Sequence, residues 1–221
     1  MSNDVTKEPG STRLVLSLAI AGFISGVAII GIYEATLSTI TENKARELRE
    51  AVFKVLPGVS QLQQLQYKDD KLVAAPGEKP SDLTLYGGYD EKGGFIGYAI
   101  PSAGPGFQDT IKVLYGYLPE SRRIVGMEIL ESRETPGLGD KIYKDPEFVA
   151  NFANLAADPS IKTMKKGTKS AANEIDAITG ATISSKAVAR IINEGHQHWK
   201  DLLPPPGNEP KITIDIKGGE R

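Results

Sequence analysis

The sequence predicts an α+β protein, with one N-terminal transmembrane helix followed by a single domain in which an antiparallel sheet is flanked by helices. Three observations predict it. Residues 14–33 are an uncharged apolar run, apolar residues alternate along much of 95–129, and a helical spacing of apolar residues precedes a proline block at 204–206. The chain has 221 residues, 40% of them hydrophobic, which suits one domain plus a membrane segment, given about 150 residues per domain.

Residues 1–13 form a polar N-terminus, assigned to the cytoplasm. The run 14–33 is twenty residues long, and at about 1.5 Å per residue it crosses a hydrocarbon core of about 30 Å. A cleaved signal peptide competes with this reading, but the run exceeds the usual h-region and no good small-x-small cleavage site follows it. Gly22 and Gly26 form a Gly-x-x-x-Gly pair, a spacing that arises often by chance and that also permits close helix packing. Lys7 and Arg13 precede the span and no Lys or Arg occurs in 34–43, which favours a cytoplasmic N-terminus; Lys44, Arg46 and Arg49 then offset that bias.

Residues 34–58 read as a stalk helix, with Ala45, Leu48, Val52, Val55 and Leu56 at helical spacing and Pro57-Gly58 as the stop. The main domain is expected over 59–203. Its first part, 60–93, is polar and turn-rich, with one short strand candidate at 83–86. A strand follows at 95–100 and is expected to break at Ser102-Ala103-Gly104-Pro105-Gly106. Ile111, Val113, Tyr115 and Tyr117 alternate along the next strand, the turn Pro119-Glu120-Ser121-Arg122 reverses the chain, and Val125, Met127 and Ile129 supply the inward face of the return. Asp145-Pro146-Glu147 starts a short helix through Phe148 and Phe152. Residues 162–169 read as a basic loop. The last helix runs from Thr182 to Leu203, and 204–221 form a flexible tail in which Ile212, Ile214 and Ile216 could add an edge strand.

Composition excludes several functions. A net charge of -2 with scattered Lys and Arg gives no field for nucleic acid. The absence of cysteine rules out disulfides, thiolate zinc sites and an iron-sulfur cluster held by this chain alone, so any electron it carries needs an organic cofactor. His196 and His198, two apart, point to different helix faces and form no metal pair; both are expected to be solvated or at the helix end, and no metal site is expected. Ser185-Lys186 lacks Ser-x-x-Lys spacing, Gly167-Thr168-Lys169-Ser170 lacks the upstream glycine of a Walker loop, and no Gly-x-Gly-x-x-Gly opens a helix. No catalytic residue is assigned. Tyr86, Tyr98, Tyr115 and Tyr117 are expected to be half-buried strand residues, although each has a ring that could stack on a flat ligand.

The segment Asp176-Ala177-Ile178-Thr179-Gly180-Ala181-Thr182 places a small, hydroxyl-rich turn before an amphipathic helix, a geometry that presents free N–H groups to an anion. An ordinary helix cap has the same composition. Ser184 and Ser185 read as exposed first-turn residues within reach of such an anion. In Glu134-Thr135-Pro136-Gly137-Leu138-Gly139-Asp140, Pro136 fixes a backbone angle while Gly137 and Gly139 permit tight turns, which would hold Thr135 and Leu138 against a flat ligand; a strand-end turn without a ligand looks similar.

The run Asp-x-x-Thr-Gly-Ala-Thr resembles the flavinylation motif of the FMN-binding domain family, and Glu134 to Asp140 resembles the loop that wraps the flavin there. With the membrane helix and chain length, residues 10–203 resemble the G subunits of Rnf-type ion-translocating electron transport complexes, relatives of the C subunit of the sodium-pumping NADH:quinone reductase. The resemblance implies covalent FMN joined by a phosphoester to Thr182, with Thr179, Gly180 and Ala181 cradling the phosphate. It implies Thr135, Gly137, Leu138 and Gly139 as further cofactor-binding residues, and Asp176 as the position recognised by a flavin transferase during maturation. It further implies other membrane subunits as partners, reduced ferredoxin and NAD as the ends of the electron chain, and Na+ or H+ as the ion moved. The domain would lie on the periplasmic side of the inner membrane, on a single-pass anchor. A membrane-tethered, non-redox binding module for a small anionic ligand or another protein of a complex is the alternative.

Overall fold

The computed structural model describes residues 10–212, so the edge strand expected at 212–216 lies largely outside the described residues. The chain divides into two compact units after Arg46. After Gly10 the described part of the first is helical, the leading portion of α1 (Ser11–Val55), which contains a window of mean hydropathy 2.4 and is long and apolar enough to cross a membrane. The expected membrane and stalk helices are one continuous element, because nothing between Tyr33 and Val55 breaks a helix. Pro57 and Gly58, at φ 88°, end it.

In the second unit a sheet follows: β1 (Gln61–Lys68), β2 (Lys71–Ala74), β3 (Thr84–Tyr89), β4 (Phe95–Pro105), β5 (Thr110–Leu118), β6 (Arg123–Glu131) and the two-residue β7 (Leu155–Ala156). Among the described residues these pair as a seven-stranded antiparallel sheet in the order β2-β1-β3-β4-β5-β6-β7. Between β6 and β7 lie α2 (Lys141–Lys144) and α3 (Pro146–Ala150), the latter capped by Asp145, whose carboxylate accepts the Glu147 and Phe148 amides. A parallel pair, β8 (Lys162–Met164) and β9 (Glu174–Asp176), leads to α4 (Thr182–Trp199).

Four expectations need correction. The polar stretch 60–93 holds three strands; in β1 the glutamines disguise the pattern, and Gln63 is itself buried. The strand from 95 does not break at 102–106 but runs to Pro105. Beyond Ala99 it pairs, among the described residues, only with β5, so Pro101 and Pro105 lack an N–H where no described neighbour needs one. On β6, Gly116 of β5 pairs with Gly126 while Tyr117 pairs with Ile124, so Val125 is the extra residue of a bulge and packs on the opposite face from Met127. The region 162–169 is a strand followed by a turn.

The sheet has two covered faces. On one, α4 packs Val188, Ile191, Ile192 and Trp199 against Tyr98, Ile100, Val113, Tyr115 and Met127, all buried. On the other, Ala51, Val52, Val55 and Leu56 meet Tyr86, Ala99 and Leu114. Gly116 makes that second contact possible: a Cβ there would lie 2.0 Å from the Val55 carbonyl oxygen. The helix end therefore rests on bare backbone.

Candidate functional site

Three loops converge at the N-terminus of α4. The first is the Thr179-Gly180-Ala181-Thr182 turn. It leaves β9 through Ala177, whose amide donates to Met164 O at 2.8 Å, and tightens when the Ala181 amide donates to Ile178 O at 3.0 Å. Gly180 has φ 84°, a conformation that a side chain would strain. No side chain caps α4; Ser185 N–H, bonded to Ala181 O at 2.9 Å, is where helical bonding begins. Thr179, Gly180 and Thr182 are exposed, whereas Ala181 is buried. The first amides of an 18-residue helix and an exposed hydroxyl thus share one turn, a suitable place for an anion.

Ser185 is fully buried rather than exposed, because its hydroxyl serves the turn. It accepts the Ile178 amide at 3.1 Å and donates to Ala181 O at 2.9 Å. Ser184 is also buried and turns away from solvent, donating to Glu134 Oε2 at 2.5 Å.

That bond ties in the second loop. Its backbone closes when Leu138 and Asp140 amides both donate to Thr135 O, at 3.2 and 3.3 Å, with Gly137 at φ 78°. Leu138 is 49% exposed, and its Cδ2 lies 3.8 Å from where a Gly180 Cβ would stand. The two sequence motifs, 42 residues apart at those positions, therefore lie side by side. Gly139 is packed where a Cβ would collide with Glu134 at 2.7 Å, and Asp140 is bonded to Lys144 at 2.6 Å, which holds its carboxyl below the usual range.

The third loop, Gly106 to Asp109 between β4 and β5, carries no sequence signal beyond its glycine. Thr135 Oγ1 donates to Gln108 Oε1 at 3.1 Å, and the Phe107 and Gln108 amides each donate to Glu134 Oε1 at 2.9 Å. Phe107 is 63% exposed, as is Ile183 at 59%. Glu134 is the hub. Its burial raises the carboxyl pKa, but the hydrogen bonds from Ser184, Gln108 and Phe107 outweigh that and hold it below the ordinary value of 4.5.

Asp176 stands apart from this junction. Its Oδ1 accepts the Gly167 and Lys169 amides at 2.9 and 3.4 Å, and it lines an open cleft of about 310 Å³ with Asn151, Lys166 and Lys169. Asn151 Oδ1 accepts from both Lys169 Nζ and the Asp176 amide, at 2.8 and 3.1 Å.

His196 departs from expectation: it is buried beside the Tyr117 ring, at a centroid distance of 4.9 Å. Burial pushes its pKa below 6.5 against the pull of Asp158, whose carboxylate at 3.6 Å is too far for a hydrogen bond. Tyr98 and Tyr115 are fully enclosed in the core rather than half-buried, and Tyr86 and Tyr117 nearly so. Among the described residues no cluster of His, Asp or Glu is placed to hold a metal ion.

A tight turn at an uncapped helix end, opposed by an apolar loop, defines the class: residues 106–197, which hold all three loops, match the FMN-binding domain family. The similarity extends along the chain. The G subunit of the Na(+)-translocating ferredoxin:NAD(+) oxidoreductase complex of Acetobacterium woodii is 32% identical, over 86% of this chain and 92% of that protein. The G subunit of the ion-translocating oxidoreductase complex of Methanosarcina acetivorans is 28% identical, over 82% and 90%. The chain belongs to this family, the G subunits of ion-translocating oxidoreductase complexes. Its fold is that of two crystal structures. The C subunit of the Na(+)-translocating NADH-quinone reductase of Parabacteroides distasonis superposes with a TM-score of 0.59 at 16% identity, covering 76% of this chain and 96% of that one. NqrC of Shewanella oneidensis gives 0.52 at 21% identity, covering 69% and 87%.

Proposed function

We propose that this chain is a membrane-anchored electron-transfer subunit that carries FMN as a phosphoester on Thr182, within an ion-translocating ferredoxin:NAD oxidoreductase complex. The observation that carries the reading is the meeting of the exposed Thr182 turn with Leu138. The residues fit the group. Thr182 offers a reachable hydroxyl, the uncapped α4 end offers amides and a positive helix pole to a phosphate, and Thr179 adds a second hydroxyl. Phe107, Leu138 and Ile183 offer exposed apolar surface that suits a flat ring.

In the attachment step Thr182 Oγ1 bonds to the flavin-side phosphorus of a flavin dinucleotide, the pyrophosphate P–O bond breaks so that the nucleoside monophosphate leaves, and the hydroxyl proton is released; no electron moves. A flavin transferase recognising Asp176 is the assigned agent, and Thr182, being exposed, is open to a second protein. Once bound, FMN supplies the one-electron chemistry that this cysteine-free chain lacks. The chain's own part is to hold it: Ser185 shapes the turn, Gly180 supplies the turn's positive φ, and Thr135 fixes the Gln108 side chain. Gly137, Gly139 and Ala181 provide the tight backbone on either side. The anchor is residues 14–33 within α1, the carrier domain 59–203, and the domain is assigned to the outer, periplasmic face. Tethering suits that side, where lost FMN is not readily replaced.

Purified protein from cells with an active flavin transferase should remain yellow after denaturation and be heavier by an FMN phosphoester. Colourless protein of unmodified mass would instead support a binding module without redox chemistry.

A further inference from the structure

Glu134 is the buried carboxylate that joins the three loops. Its two oxygens are shared: Oε1 takes the Phe107 and Gln108 amides, and Oε2 takes the Ser184 hydroxyl. Among the described residues no Lys or Arg bonds it; its partners are amides and a hydroxyl, whose dipoles hold its negative charge. Each partner adjoins a residue offered to the ligand. Phe107 carries its own exposed ring, Ser184 follows Thr182 and Ile183, and Glu134 precedes Thr135 in the Leu138 loop. The packing is full, since a Cβ at Gly106 or Gly139 would collide with the Glu134 side chain.

We propose that Glu134 is the positioning residue of the cofactor site, fixing the Phe107, Leu138 and Thr182 loops in one arrangement and placing a fixed negative charge among them. The inference rests on the FMN reading above. A carboxylate in a partly dry site repels the negative charge gained on reduction, so it holds the cofactor's potential down. The carboxylate also faces the first turn of α4, where it offsets part of the positive helix pole that the phosphate would otherwise have to itself.

Two substitutions separate geometry from charge. Glu134→Gln keeps an oxygen for the two amides and an amide group for Ser184, so the loops stay joined while the charge is lost. Glu134→Ala removes both. The full-length chain is produced with a flavin transferase and studied in detergent. Glu134→Gln should keep covalent flavin and shift its midpoint potential upward. Glu134→Ala should also lose loop order, seen as faster proteolysis between residues 106 and 140 and a lower melting temperature in protein made without the transferase. A wild-type midpoint and flavin spectrum in Glu134→Gln, on protein whose Thr182 is flavinylated, would overturn the charge effect, and wild-type proteolysis and melting in Glu134→Ala would overturn the positioning role, either result leaving the FMN reading intact. Wild-type protein free of covalent flavin would overturn this inference together with the FMN reading.

Discussion

At Thr182 the side chain points to solvent while its neighbours Ala181, Ser184 and Ser185 are buried, so its hydroxyl can be removed without disturbing the turn. Thr182→Ala should therefore abolish covalent flavin and change stability by no more than about 0.5 kcal/mol, checked by mass and thermal melting; covalent FMN retained by this variant would place the linkage elsewhere. Thr182→Ser keeps the oxygen and should keep at least partial attachment. Leu138 reads out the ring environment. An unpaired carboxylate in Leu138→Asp should lower the flavin's midpoint and alter its absorbance without preventing attachment, and a redox titration identical to wild type would make the loop a turn remote from the cofactor. Glu134 adds a pH dependence. Its folded pKa lies below the ordinary 4.5, so the stability it confers is complete above about pH 4.5 and is lost as the pH falls through the folded value. Melting temperatures of wild type and Glu134→Gln should converge as the solution is acidified over that window; a constant gap would show that the carboxylate's charge contributes nothing to folding.

At the scale of elements, the turn before α4 depends on Ser185. Ser185→Ala would leave the buried Ile178 amide without an acceptor, a loss of about 1–3 kcal/mol, measurable by denaturant unfolding. Both motif loops are legible in the sequence because glycine, proline and small hydroxyl residues at fixed places leave few alternatives to a tight turn. The β4-β5-β6 meander is legible from alternation. Ser184, Ser185 and His196 escape such a reading because a polar side chain in a sequence does not reveal a buried partner; Ser185 is spent on its own turn and Ser184 on Glu134, 50 residues away. The Gly106 to Asp109 loop reads only as a strand breaker, since the fold alone shows that its amides end on Glu134. In β1 the alternation is present but written in glutamine.

For the whole molecule, the end of α1 is built into the sheet, where Val55 sits over Gly116 and Gly126. A Gly116→Val side chain would meet the Val55 carbonyl, so the substitution should destabilise the domain by about 1–3 kcal/mol or more, read as a lower melting temperature while the membrane helix still inserts. Under the proposed orientation, protease added to sealed spheroplasts should digest the domain; protection there, with degradation only after lysis, would put it in the cytoplasm. The central claim, that Thr182 carries the flavin, is tested most directly by peptide mass mapping of full-length protein made with a flavin transferase. An FMN phosphoester on the peptide containing Thr179 to Lys186, localised by fragmentation to Thr182, is the predicted result. An unmodified Thr182 peptide, or the flavin on any other residue, would contradict it.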